Sequence, residues 1–467
     1  MNVLVILASS SGAFHIGLAY LAGALKTAGH NAGYLPVTEV DVGKLRAALD
    51  HWRPQLVLLS FTTDTRALCR DLARVVKQLT SNQTPVPIFA GGVHATFCPE
   101  DTLAIDELSG LCRGEGEQAV VHLANRLAAG QVPTGIPNLW VRHRGAVDRN
   151  ELAPLVEDLD ALAPPDYGIF KAHQSLRVLP IILTRGCSLG CTYCCNHAYR
   201  ELYRGKGKFL RHHSVSYSIE LIGRLLREFP EAHAVEFYDD TFILNRRWLT
   251  EFLAEYSRLR VPFVCNGRFD LLDRELVELL AQGGCVRLNA AVEAGSETIR
   301  REVLGRDMSD SVIRDGARLV REAGIHLYTH NMVGIPFETE DDIIETAALN
   351  RAIYTDSVQV SVFNPYPGTR LRKQCEDRGW IDKHISVTSF RDQTVLRTPH
   401  IAPARVNYLF LTFKALVFDE GLTRRAIQLL AWVMHLHRNY LYRRLRRNRL
   451  FAPVLRFMFA RERTPRE

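Results

Sequence analysis

The apolar positions of the chain form two series in which short apolar runs alternate with longer amphipathic segments. In residues 1–145 the runs have the length of strands and the segments between them have the length of helices, which predicts a parallel, doubly wound sheet. The predicted strands are Asn2–Leu7, Gln55–Ser60 and Val86–Ala90, and the predicted helices are Gly17–Ala28, Ala67–Leu79 and Glu117–Ala128.

The second series runs from Val178 to about Gly379 and contains six strand–helix units, which suit a partial (β/α)6 barrel. Catalytic groups of βα barrels lie at the carboxyl ends of the strands. The predicted strands are Val178–Leu183, Ala234–Tyr238, Val261–Cys265, Cys285–Ala290, Ile325–Asn331 and Val358–Phe363. The predicted helices lie near Ser216–Phe229, Arg246–Tyr256, Asp273–Gln282, Asp310–Glu322, Thr339–Ile353 and Gly368–Arg378.

Two further segments complete the predicted organisation. Residues 146–175 mix prolines with acids and show no sustained period, so we expect an extended linker between a domain at 1–145 and a domain at 176–380. Residues 381–467 form a C-terminal region that is helical in period from about Asn407.

The net charge of +7 is concentrated at the end of the chain. Residues 438–467 contain ten Arg and two Glu, or +8, so residues 1–437 carry 7 − 8 = −1. This basic tail interleaves arginine with aromatic residues, which suits an anionic membrane surface, a nucleic acid or a solvated helix with snorkelling arginines. We expect peripheral membrane contact in preference to nucleic acid.

The ten cysteines show no disulfide-framework spacing, which is typical of a reducing compartment. The segment Met1–Leu7 has no basic start and is typical of a first strand instead of a secretory signal, and no apolar stretch is long enough to span a membrane. These features predict a cytoplasmic protein.

Three of the cysteines, Cys187, Cys191 and Cys194, form a C-x3-C-x2-C motif directly after an apolar run. Soft thiolates favour zinc or iron–sulfur centres. Tetrahedral zinc needs a fourth ligand, whereas an iron–sulfur cubane held by three cysteines leaves one iron open for another molecule.

This cysteine spacing resembles the cluster loop of the radical S-adenosylmethionine (radical SAM) family. The resemblance implies a 4Fe-4S cluster on Cys187, Cys191 and Cys194, with SAM chelated to the open iron. It also implies that Tyr193, the aromatic residue before the last cysteine, lies beside the SAM adenine.

The ends of the predicted barrel strands carry the residues that this resemblance assigns to SAM: Asp239, Asp240, Arg268, Glu293, Gly334 and Pro336. The acids would accept from the SAM amino group, Arg268 would face its carboxylate, and Glu293 would hold its ribose. Each has a structural alternative: a helix cap for the two aspartates, pairing of Arg268 with Asp270 or Glu293, and a simple turn for the Gly-x-Pro segment.

The loops that follow the N-terminal strands are rich in small and hydroxylic residues, which alone indicates a ligand of nucleotide or cofactor size. Together with the cysteines they resemble the cobalamin-binding domain of cobalamin-dependent radical SAM enzymes. The implied cobalamin residues are Ser10, Thr62, Thr63, Gly91, Gly92, Gly114, Glu115 and Gly116. The domain lacks the D-x-H-x-x-G element, so we expect no histidine on the lower cobalt face; His15 and His94 are the alternatives, although a loop histidine more often serves hydrogen bonding.

The resemblance implies a C-methyltransferase that uses a 5′-deoxyadenosyl radical and methylcobalamin on an unactivated carbon, with a flavodoxin or ferredoxin as electron donor. The alternatives are a ring-forming cyclase or oxidoreductase of the anaerobic type, an RNA methylthiotransferase, and a non-catalytic iron–sulfur or cobalamin sensor. The substrate predicted is a small molecule, with a lipid-like one suggested by the basic, apolar tail.

Overall fold

The computed structural model describes residues 1–10, 14–81, 86–382, 384–385 and 393–418. They form two compact units. The first contains Met1–Ser188, Cys195–Ala232 and Tyr366–Gly368. The second contains Leu189–Cys194, His233–Pro365 and the described residues from Thr369 onward.

A seven-stranded sheet forms the core of the first unit, in the order β2-β1-β3-β4-β5-β6-β7. The first five strands in the chain pair in parallel, and the last two add antiparallel at one edge. The strands are β1 (Asn2–Ala8), β2 (Asn31–Val37), β3 (Leu56–Ser60), β4 (Ile88–Gly91), β5 (Gly110–Cys112), β6 (Leu139–His143) and β7 (Ala146–Arg149).

Helices connect the parallel strands of this sheet, as predicted. They are α1 (Ile16–Thr27), α2 (Val42–Trp52), α3 (Arg66–Thr80), α4 (Val93–Phe97), α5 (Pro99–Leu103) and α6 (Glu117–Ala128). The sequence pattern missed β2 and α2. Strand β2 contains Gly33, which packs against the Trp52 ring, and Pro36, which is tolerated because β2 is an edge strand.

The remainder of the first unit holds shorter elements. Strand β8 (Val178–Ile181) is followed by β9 (Thr184–Arg185), which pairs antiparallel with β10 (Arg211–His212). Helices α7 (Cys195–Leu202) and α8 (Val215–Glu228) complete the unit. The predicted linker begins with β7 and includes two short 3-10 turns, the second of which buries Tyr167 and Phe170.

The second unit contains five parallel strands in the order β15-β14-β13-β12-β11. They are β11 (Ala234–Phe237), β12 (Phe263–Gly267), β13 (Cys285–Glu293), β14 (His326–Val333) and β15 (Ser357–Val362). The helices are α9 (Arg246–Tyr256), α10 (Arg274–Gln282), α11 (Asp310–Glu322), α12 (Glu340–Ala352), α13 (Arg370–Asp377) and α14 (Pro403–Phe418). Neighbouring strands that follow chain order are typical of a βα barrel, and the predicted elements are confirmed to within a few residues.

Helix α14 belongs to the predicted helical C-terminal region and packs onto the second unit. Its apolar face, which includes Val406, Leu409 and Phe413, contacts buried residues of α12, β14 and β15. Its predicted continuation and the basic tail lie outside the described residues. Within the part of the chain that the structure describes, no helix has the length and apolarity needed to cross a membrane.

Gly114 tests how tightly the first unit is packed. Its φ is +70°, and a Cβ there would lie 1.8 Å from the Tyr203 hydroxyl oxygen. Gly130 has a similar φ of +68° with open space around it. We expect Gly114→Ala to lower the free energy of unfolding by about 1–3 kcal/mol more than Gly130→Ala, because only the first adds a clash to the backbone strain. Urea unfolding followed by circular dichroism measures both; equal losses would contradict the packing described.

Candidate active site

The stem of the cysteine loop is fixed within the first unit. Arg185, at the end of β9, forms ion pairs with Glu117 at 2.5 Å and with Glu115 at 3.2 Å. Gly186 follows with a φ of +86°, and a Cβ there would lie 2.4 Å from the Phe209 carbonyl oxygen. The residue before Cys187 must therefore be glycine for both backbone and packing reasons.

The loop then enters the second unit, where the backbone around Thr192 is held on both sides. Its N–H donates to the Leu304 carbonyl at 3.0 Å, and its hydroxyl donates to the Val303 carbonyl at 2.6 Å. Its own carbonyl accepts from the N–H of Leu371 at 3.1 Å, near the start of α13. These three bonds hold the backbone between Cys191 and Cys194.

The Cys191 thiol is 8% exposed and faces two guanidinium groups. One N–H group of Arg268 donates to Cys191 Sγ at 3.4 Å, and Arg306 does so at 3.9 Å. Both guanidinium groups place N–H donors and positive charge beside this sulfur, as suits a sulfur that shares negative charge with a metal. The residues present therefore fit an anionic, metal-bound cysteine.

A single-ion site is a different arrangement from a cluster site. In the described residues, no three His, Cys, Asp or Glu side chains are grouped as ligands of one metal ion. The three cysteines of a cubane bind three different irons, so this finding does not bear on a cluster.

Tyr193 and Glu293, which the sequence assigns to SAM, lie together. The Tyr193 hydroxyl donates to Glu293 Oε1 at 3.0 Å. Glu293 ends β13 at a β-bulge and has a φ of +65°, a strained conformation for a residue other than glycine. Burial raises the pKa of Glu293, although the charge of Arg306 and the Tyr193 hydrogen bond oppose this rise.

Asp239 and Asp240 do not cap the next helix, α9, so the structural alternative for these two residues is wrong. Asn245 is the N-cap of α9, and its side chain accepts from the N–H of Trp248. Asp239 is buried after β11, its carbonyl accepts from the Asn266 side chain at 2.9 Å, and Asp240 is exposed. Their assignment to SAM stays a prediction.

The structural alternative for Arg268 is observed. Its guanidinium makes two hydrogen bonds to the Asp270 carboxylate, at 2.9 and 2.7 Å. Because a third bond reaches Cys191, its side chain already has two partners. Its proposed contact with the SAM carboxylate stays a prediction.

The Gly-x-Pro segment after β14 is organised by Glu338. This carboxylate is fully buried and accepts from the N–H groups of Gly334 at 2.7 Å and Ile335 at 3.0 Å. Gly334 has a φ of +77°, and Pro336 is buried between these contacts. The turn is thus built by an internal carboxylate, which is compatible with a binding role.

The loops assigned to cobalamin lie at the carboxyl ends of β3, β4 and β5. The Thr63 hydroxyl lies 3.1 Å from His94 Nδ1, and His94 Nε2 lies 2.9 Å from Asp101. Both ring nitrogens of His94 are used, which agrees with a hydrogen-bonding role. Thr62 caps the following turn and is exposed, as are Ser10 and the alternative ligand His15.

Some glycines of these loops have an internal reason to be glycine. Gly92 has a φ of +103°, and a Cβ there would lie 2.5 Å from the Phe61 carbonyl oxygen. A Cβ on Gly91 would meet its nearest neighbour, Cys112, only at 3.9 Å. A Cβ on Gly116 would lie 3.3 Å from Leu21. Packing therefore leaves room at Gly91, where a bound ligand can approach the backbone.

The Glu115 carboxylate forms ion pairs with two arginines. Its carboxylate accepts from Arg211 at 2.6 and 3.1 Å, in addition to Arg185. Burial works to raise the pKa of Glu115, but the two guanidiniums outweigh it and hold the pKa below its usual range. Glu115 thus has a structural role in the first unit, and its role toward cobalamin stays a prediction.

Comparison with known proteins finds two known domain families in this chain. Residues 181–349 match the radical SAM superfamily, and residues 3–124 match the B12 binding domain. The chain thus combines a radical SAM domain with a B12 binding domain, which supports the resemblance to cobalamin-dependent radical SAM enzymes. Its cofactors are accordingly a 4Fe-4S cluster, SAM and cobalamin, and it is an enzyme.

Relatives of this enzyme include an uncharacterized methyltransferase from Pyrococcus horikoshii, 26% identical over 368 residues that cover 76% of this chain and 77% of the relative. An anaerobic magnesium-protoporphyrin IX monomethyl ester cyclase from Cereibacter sphaeroides is 25% identical over 77% of this chain and 60% of its own length. The radical SAM methyltransferase TsrM from Kitasatospora setae, solved with cobalamin and a [4Fe-4S] cluster, has the same fold. The TM-score is 0.66 at 18% identity, with 90% of this chain and 82% of TsrM covered. The predicted fold class is confirmed.

Sequence reasoning missed two groups at this site of the enzyme. Arg306 lies 115 residues beyond Cys191 in the chain, and only the fold brings the two together. Glu338 lies two residues after Pro336 of the Gly-x-Pro turn, and an acidic residue in a sequence does not by itself indicate a buried carboxyl. The signal available for Glu338 was its position between the turn and the Thr339 cap of α12.

The buried Glu338 predicts a pH dependence of stability. Burial raises its pKa to about 8, so the folded state holds a proton that the unfolded state has lost between about pH 4.5 and 8. This contribution to stability is complete below that range and is lost as the pH rises through it. We expect Glu338→Gln to remove this loss, so its melting temperature relative to the unchanged enzyme should be higher at pH 8 than at pH 5. A pH-independent difference would contradict the buried, protonated carboxyl.

Proposed function

We propose that the enzyme is a cobalamin-dependent radical SAM C-methyltransferase that acts on an unactivated carbon of a small molecule. The observation that carries this proposal is the buried Cys191 thiol, which has two guanidinium donors and lies in the same loop as the Tyr193–Glu293 pair. The methyltransferase name of the Pyrococcus horikoshii relative supports methyl transfer.

When bound, the cluster and SAM supply radical chemistry, and cobalamin supplies the methyl group. In this proposal Cys187, Cys191 and Cys194 hold the cluster. The SAM residues are Tyr193, Asp239, Asp240, Arg268, Glu293, Gly334 and Pro336. The cobalamin residues are Ser10, Thr62, Thr63, Gly91, Gly92, Gly114, Glu115 and Gly116.

Two observed contacts support narrower roles for some of these residues in this proposal. Tyr193 and Glu293 form one hydrogen-bonded unit at the end of β13, so a ligand that binds one orients both. Gly91 leaves the backbone at the end of β4 accessible. We further propose a cytoplasmic enzyme with a flavodoxin or ferredoxin as electron donor; the lipid-like substrate and the membrane contact depend on the tail, which lies outside the described residues.

A ring-forming cyclase or oxidoreductase is the second candidate, because the Cereibacter sphaeroides cyclase is a relative of similar identity. The two functions differ in the fate of SAM. Methyl transfer through cobalamin converts one SAM to S-adenosylhomocysteine, whereas a cyclase needs no such conversion.

The proposal predicts two products from SAM under reducing, anaerobic conditions. With reduced cobalamin present, the reconstituted full chain should form both 5′-deoxyadenosine and S-adenosylhomocysteine, measured by liquid chromatography and mass spectrometry. Cys191→Ala should lower deoxyadenosine formation at least about a hundredfold, because it removes a cluster ligand. Cys195→Ala is the matched control in the same segment and should retain it.

Deoxyadenosine without S-adenosylhomocysteine would favour the cyclase over the methyltransferase. Absence of both products from a fully loaded chain would favour the sensor. Equal loss in the Cys191 and Cys195 variants would contradict the assignment of the cluster ligands.

A further inference from the structure

Arg306 is a buried cation that the proposed function has not used. It is 4% exposed and belongs to the second unit. One end of its guanidinium donates to the Tyr193 hydroxyl at 3.1 Å and lies 3.9 Å from Cys191 Sγ. The other end donates to the Ala291 carbonyl at 2.9 Å, so the group is held in one orientation.

Arg306 and Arg268 differ in whether a carboxylate forms an ion pair with the guanidinium group. Arg268 is paired with Asp270, which offsets its charge beside Cys191. Among the described residues, Arg306 forms no salt bridge with a carboxylate, and its Nε has no hydrogen-bond partner. Arg306 therefore places a positive charge that has no direct carboxylate partner in a low-dielectric region next to the sulfur, and the buried Glu293 carboxylate acts on it only at longer range.

The conformation of the backbone before Arg306 places this residue beside Cys191. A short π-helix, Ile299–Val303, is followed by Gly305, which has a φ of +65°. A Cβ on Gly305 would lie 3.0 Å from the Gly190 carbonyl oxygen, inside the cysteine loop. The segment thus lies directly against this loop, and the side chain of Arg306 turns back toward Cys191.

We infer that Arg306 is a positioning residue that, together with Arg268, stabilises the reduced cluster through Cys191. Reduction would transfer one electron from the proposed flavodoxin or ferredoxin donor to the cluster and take the cluster from the 2+ to the 1+ state, with no bond or proton transferred. Donors and positive charge at a ligating sulfur favour the state with more negative charge and raise the reduction potential. The inference rests on the proposed function, in that Cys191 must be a cluster ligand.

The experiment is a redox titration with dithionite of the full chain carrying the cluster, followed by electron paramagnetic resonance. At the midpoint potential of the unchanged enzyme, we expect Arg306→Gln to lower the ratio of reduced to oxidised cluster about tenfold, a shift of about 59 mV to more negative potential for one electron. Arg306→Lys, which keeps the charge, should shift it less. Arg301→Gln is the control because Arg301 lies in the same segment with its side chain 59% exposed, and its midpoint should not move.

A fully loaded Arg306→Gln variant with an unchanged midpoint would overturn the inference. Iron analysis accompanies each titration. If Arg306→Gln does not retain four irons, Arg268→Gln, which removes the other guanidinium that donates to Cys191, decides, and an unchanged midpoint in that variant overturns the inference. Retention of the cluster signal by Cys191→Ala would instead show that the ligand assignment of the proposed function is wrong.

Discussion

The buried guanidinium of Arg300 fixes the segment on which the active site of the second unit depends. It is fully buried and donates to the carbonyls of Ala294, Gly295 and Met308, and it pairs with Asp310 at 2.6 Å. Burying a charge costs less when its donors are satisfied, and these bonds join the two ends of a loop to one group. This closed loop supplies the carbonyls that accept hydrogen bonds from Thr192. The same loop also supplies the side chain of Arg306.

A second constraint is the left-handed backbone of Glu293. Such a conformation costs about 1–2 kcal/mol for a residue with a Cβ, so the surroundings must impose it. The bulge at the end of β13 and the hydrogen bond from Tyr193 hold it in place. In this conformation the carboxylate faces the cysteine loop and accepts from Tyr193.

The fold was largely predictable because the alternation of strands and helices is a local property, and caps such as Asn245 and Thr339 set the helix ends. The cysteine motif and Glu293 were also local. Arg306 was not predictable, since its contact with Cys191 depends on how distant segments pack. For the same reason, the sequence showed Glu115 in a loop typical of cobalamin binding but not the Arg211 and Arg185 that already neutralise it.

The distribution of charged groups around Cys191 follows from how these distant segments pack. Asp270 offsets Arg268, whereas the nearest acid to Arg306 in their network, Glu293, is reached only through the Tyr193 hydroxyl. Burial raises the pKa of that carboxyl, whereas the charge of Arg306 and the hydrogen bond from Tyr193 oppose this rise. Burying the positive charge of these guanidinium groups is costly unless an anionic group compensates it. A cysteine thiolate that carries a cluster is an anion of this kind, so the arginines and the cluster site stabilise each other.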